Sequence, residues 1–138
     1  MRWRLLVLLL AALVLSGCRT DGSDGPGKAD YTPVPDDTLF SQVAALPGVE
    51  RAELSYNDAF PDNAYGGRVT LSPDADAQQT LDTINATLRQ GRPDVDMTIQ
   101  AQQGGKAVRL EAIKGPTTRI ALEKRYGPQP GDGTPPTD

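Results

Sequence analysis

The spacing of apolar residues switches period three times between residues 36 and 112, and this switching limits the fold more than any other feature. Ala77, Leu81, Ile84 and Leu88 recur at spacings of four, three and four, one stripe of a helix. Val95, Met97, Ile99 and Ala101 then alternate with Asp96, Thr98 and Gln100, the period of a strand with one buried face. Gln103-Gly104-Gly105 predicts a tight turn, after which Val108, Leu110 and Ala112 alternate with Arg109 and Glu111. The earlier half repeats the pattern. Leu39, Val43 and Leu46 share a helical stripe with Phe40 beside it, behind Asp36 and Asp37 at the positive helix end. Pro47-Gly48 ends that helix. Val49 to Tyr56 alternates, a polar loop runs from Asn57 to Asn63, and Tyr65 to Leu71 alternates again, with Arg68 and Thr70 outward.

The second helix has clear boundaries: Ser72-Pro73-Asp74 predicts its N-terminus and Arg89, Gly91 and Pro93 its end. Gly115-Pro116 breaks the chain again, and Thr118 to Tyr126, with Ile120 and Leu122, reads as an edge strand. The order is αββαββ. Every strand alternates and each helix has one apolar stripe, so both helices belong on one face of the sheet. The expected fold is α+β: a two-layer sandwich with an antiparallel or mixed sheet.

The ends have a different composition. Residues 19–35 hold many Gly, Asp and Pro without apolar periodicity and read as a flexible tether with a reach of roughly 20–25 Å. Residues 127–138 (GPQPGDGTPPTD) have no apolar anchor and are expected to be disordered. At the start, Arg2 and Arg4 precede an unbroken apolar run from Leu5 to Leu15, then Ser16, Gly17 and Cys18. Eleven residues cover only about half of a bilayer core, so the run fits a signal peptide better than a membrane span.

The segment Leu15-Ser16-Gly17-Cys18 resembles the lipobox of bacterial lipoproteins. The resemblance implies that Cys18 receives a diacylglycerol and becomes the mature N-terminus. It further implies fatty acylation and a lipid-anchored location on the extracytoplasmic face of the cell membrane. The parts expected are then a signal peptide at 1–17, the lipidated Cys18 and tether to 35, a domain at 36–126 and the tail at 127–138. Trp3, the only tryptophan, leaves with the leader, and the mature chain carries twelve basic against eighteen acidic residues. The run Gly67-Arg68-Val69-Thr70-Leu71-Ser72 and the turn Leu46-Pro47-Gly48-Val49 resemble motifs of BON domains, small αββ-repeated envelope modules. No glycine follows Ser72, and the 57–63 loop is long for that family. The resemblance implies a non-catalytic module that binds phospholipid or other envelope components.

The chain has no histidine and one cysteine, which removes Ser-His-Asp catalysis and the common histidine-bearing zinc sites. No catalytic residue, metal ligand or cofactor is expected. Asp74/Asp76 and Asp94/Asp96 read as structural acids. Asn57, Asp58, Asp62 and Asn63 lack the ligand spacing of a calcium loop. Gly66-Gly67 and Gly104-Gly105 read as turn residues because neither opens a helix. Acidic balance and a water-facing sheet surface without aromatic rings argue against nucleic acid as a partner.

One local exception stands out in the charge. Residues 104–126 hold six basic residues (Lys106, Arg109, Lys114, Arg119, Lys124 and Arg125) against Glu111 and Glu123. They read either as guards of a sheet edge or as a contact surface for anionic headgroups or an anionic envelope polymer. The functional expectation is a non-catalytic, lipid-anchored binding module of the cell envelope, its partner a protein, lipid or polymer. The alternatives are a carboxylate-dependent hydrolase and a small-ligand or ion carrier.

Overall fold

The computed structural model describes residues 31–59 and 63–137. The leader, Cys18 and most of the tether lie outside these residues. The chain folds as α1 (Asp36–Ala44), β1 (Val49–Asn57), β2 (Ala64–Leu71), α2 (Ala77–Leu88), β3 (Asp96–Gln103), β4 (Lys106–Val108) and α3 (Arg119–Tyr126). The sheet order is β1-β2-β3-β4. Antiparallel β1/β2 and β3/β4 flank a parallel β2/β3 pair, so the sheet is mixed and the class is α+β.

Alternation decides which face the helices cover. Tyr65, Val69 and Leu71 of β2 and Met97 and Ala101 of β3 are buried with Leu39 and Val43 of α1 and Leu81, Ile84 and Leu88 of α2. The opposite face carries Glu53, Arg68 and Gln100 in one cross-strand row and Arg51, Thr70 and Gln102 in the next. Tyr65 is the largest fully buried side chain. Phe40 and Tyr56 meet its ring edge-on, at 5.6 and 5.8 Å between centroids. Its hydroxyl donates to Asp36 at 2.8 Å and accepts from the Arg92 backbone N–H at 2.9 Å. Burial raises the Tyr65 hydroxyl pKa well above its ordinary value. Arg92 also pairs with Asp36 at 2.9 Å, so one carboxylate ties the start of α1 to the turn after α2.

Several details differ from the sequence expectation. The cap of α2 is Asp76, whose carboxylate accepts from the Gln78 and Gln79 N–H groups at 3.0 Å. Ser72-Pro73-Asp74 forms the turn before it. Gly66 and Gly67 lie inside β2, not in a turn. Gly104 and Gly105 do form the hairpin turn, with φ of 56° and 75°, both in the left-handed region that a two-residue hairpin loop requires. β4 stops at Val108 because the Gln78 side chain takes over the next backbone groups. Its amide donates to the Arg109 carbonyl at 3.0 Å and accepts from the Glu111 N–H at 2.8 Å. The chain therefore leaves the sheet, and Ile113 is buried in place of Ala112.

The expected edge strand at 118–126 is a helix. Thr118 caps α3 by accepting from the Ala121 N–H, and Gly127, with φ of 78°, follows its end. Leu122 is fully buried and Ala121 and Tyr126 pack against the core. With this third helix beside it, α2 is buried on more than its apolar stripe: Thr80, Asp82, Asn85 and Thr87 are buried, as is Arg89 just past its end. Residues 31–35 and the start of the tail add to that cover. The Tyr31 hydroxyl donates to the Gly91 carbonyl at 2.6 Å, and the Val34 N–H to the Gln90 carbonyl at 3.0 Å. Residues 31–35 of the expected tether thus lie on the domain. The tail has no helix or strand through residue 137, yet Arg89 donates to the Gly127 carbonyl and Gln129 to the Arg89 carbonyl. Its anchors are polar, so apolar patterning did not reveal them.

Candidate functional site

A cavity of about 420 Å³ lies beside β3, below the loop that connects β4 to α3. Leu81 and Ile84 of α2 form one wall and Met97, Ile99 and Ala101 of β3 the other. Val108, Leu110, Ile113 and Pro116 close it from the loop side, and Asn85, Arg109 and Thr117 supply the polar groups. The local sequence explains this opening. β4 is only three residues long, so the core face of β3 beyond it is covered by a loop instead of a strand. That loop is fixed at both ends, by the Gln78 clamp and by the Met97 N–H donating to the Thr117 carbonyl at 2.9 Å.

The six basic residues from 104–126 separate into two groups. Lys106, Arg109, Lys114 and Lys124 are exposed and form no ion pair among the described residues. Arg119 is exposed at the start of α3, where its guanidinium lies 3.7 Å from Asp94. Arg125 belongs to the interior. It pairs with Asp82 at 2.5 Å, the side chains being 14% and 10% exposed, and Tyr126 also donates to Asp82. Burial acts to raise the Asp82 pKa, but the bonds from Arg125 and Tyr126 outweigh it and hold the carboxyl below its ordinary value. Burial pushes the Tyr126 hydroxyl up, and the bond to Asp82 adds to this. This triad joins α2 to α3 and does not point into the cavity wall set. An anion arriving from outside therefore meets the exposed group and not Arg125.

The paired acids behave as structural residues. Asp76 caps α2, and Asp96 accepts from the Arg119 N–H at 2.7 Å, at the start of α3. In the 57–63 loop, Asn57 accepts from the Ala59 N–H in a local turn, while Asp62 lies outside the described residues. Among the described residues, no three of His, Cys, Asp and Glu come together as a metal-holding group. The cavity was not visible in the sequence. The signal that could have indicated it is Ile113, an apolar residue outside the alternating set that ends at Ala112.

No family model matches this chain, and neither the curated proteins nor the solved structures contain a significant match.

Proposed function

We propose that the chain is a non-catalytic, lipid-anchored module on the extracytoplasmic face of a bacterial cell membrane, with its basic end turned toward an anionic envelope component. The single observation that carries this reading is the leader: two arginines, a short apolar run and Leu15-Ser16-Gly17-Cys18, in that order. Lys106, Arg109, Lys114 and Lys124, which form no ion pair among the described residues, support the second half of it. Each cation near an anionic surface contributes about 1 kcal/mol, screened over a Debye length of about 8 Å at physiological salt. Ile120 adds to this. It is 71% exposed and one helical turn before Lys124, the pairing of apolar and basic residues that suits a membrane interface.

The test uses the processed chain, inserted through its lipid into nanodiscs of neutral phosphatidylcholine or anionic phosphatidylglycerol. Acetylation rates of Lys114 and Lys124 are read by mass spectrometry. On the anionic surface both lysines are expected to react several-fold more slowly at low salt, and the protection is expected to vanish at high salt. Lys114→Glu with Lys124→Glu is expected to deprotect Lys106 as well. Equal rates on the two surfaces would leave these residues as edge guards and contradict the contact.

A further inference from the structure

We propose that the cavity below the 109–117 loop is a binding site for a long-chain fatty acid, with its hydrocarbon along β3 and its carboxylate at Arg109. The volume fits such a ligand. An apolar cavity of about 150 Å³ accepts a six-carbon ring, so about 420 Å³ corresponds to roughly sixteen carbons. The shape fits too. The lining runs along β3 from Met97 to Ala101, four steps of strand rise or about 13 Å. Over that length the volume averages about 30 Å² in section, wider than one extended hydrocarbon chain, so a sixteen-carbon chain of about 20 Å extended length lies bent in the slot.

The polar groups then decide the ligand's head. Asn85 is engaged by the Tyr126 hydroxyl, and the Thr117 carbonyl is taken by Met97. Arg109 is the one charged residue in the lining and has no ion pair among the described residues. A guanidinium presents two parallel N–H donors to a carboxylate, a geometry that a neutral alcohol cannot use. Lys114 adds a second positive charge between Ile113 and Gly115, both of which line the cavity. Entry needs no change in the sheet: displacement of Ile113 while the Gln78 clamp and the Thr117–Met97 bond hold would widen the slot. The lining lies wholly within residues 81–117, so the site does not rest on the anchor.

The test is photoaffinity labelling of the purified full chain in maltoside detergent, with palmitate carrying a mid-chain diazirine. Labelled peptides are mapped, and excess palmitate and excess hexadecanol serve as competitors. Both competitors enter detergent micelles, so capture through the micelle is reduced equally by the two. The proposal predicts labels within residues 81–117 and at least tenfold better competition by palmitate than by hexadecanol. Arg109→Glu, at an exposed position, is expected to abolish that preference, and Ile99→Trp to abolish the label by filling the slot. Labels confined to residues outside 81–117, equal competition, or an unchanged preference in Arg109→Glu would overturn it.

Discussion

Asp82→Ala is expected to destabilise the domain by about 3–5 kcal/mol, the cost of removing one partner from a buried ion pair. The substitution leaves the Arg125 guanidinium and the Tyr126 hydroxyl in the α2–α3 interface without the carboxylate they share. Against a total stability of about 5–15 kcal/mol, such a loss unfolds a large part of a small domain. Urea titration measures it. The double variant Asp82→Leu with Arg125→Met is expected to recover most of the loss, because it removes both charges together. A loss under about 1 kcal/mol for Asp82→Ala would show that α3 does not seal α2. The same residue sets an acid limit. Its carboxyl is held below the ordinary value of 3.8 in the folded state, so its contribution is complete above that value. The contribution is lost as pH falls through the lower folded value, and Asp82→Asn should flatten the stability curve only in that acid range.

Gly67→Ala carries the second large effect. A Cβ at this position would stand 2.0 Å from the Glu53 carbonyl oxygen and 3.0 Å from the Leu54 Cα, both backbone atoms of the paired strand. The backbone φ of 134° is also strained for any side chain. Strain of about 1–3 kcal/mol and overpacking of about 1–3 kcal/mol together give a loss of about 4 kcal/mol. The neighbour is the control. At Gly66 the Cβ would stand 2.7 Å from Thr98 Oγ1, a side-chain atom that can rotate, so Gly66→Ala is expected to cost about 1 kcal/mol. Adding Thr98→Ala should relieve that smaller loss. Equal destabilisation by the two glycine substitutions would contradict the close approach of β1 to β2 at Gly67.

The αββαββ order was legible because four strands and two helices each follow one hydrophobic period, with Gly or Pro soon after α1, β2, α2 and β3. The third helix was misread for a physical reason. Ile120 and Leu122 alternate as in a strand, but the stripe that packs is Leu122 with Tyr126, between the Thr118 cap and Gly127. Ile120 is left in solvent. Polar anchoring was also hidden. The Gln78 clamp, the Asp82–Arg125 pair and the Gln129 contacts join residues 31 to 43 positions apart, and no local pattern records such pairings. The basic cluster at 104–126 was legible as composition, yet only the fold separates Arg125, used inside, from the exposed Arg109 at the cavity. A cavity depends on where a short strand gives way to a loop, and this followed from a side chain thirty-one residues away.

Whether a lipid on Cys18 carries the domain at the membrane is read from the mass of the N-terminal peptide. Chain recovered from the membrane fraction of an expressing bacterium is digested, and its N-terminal peptide is measured by mass spectrometry. The account predicts a peptide that begins at Cys18 and carries a diacylglyceryl group on its sulfur. A chain that still begins at Met1, or one cleaved elsewhere with an unmodified Cys18 thiol, would contradict it.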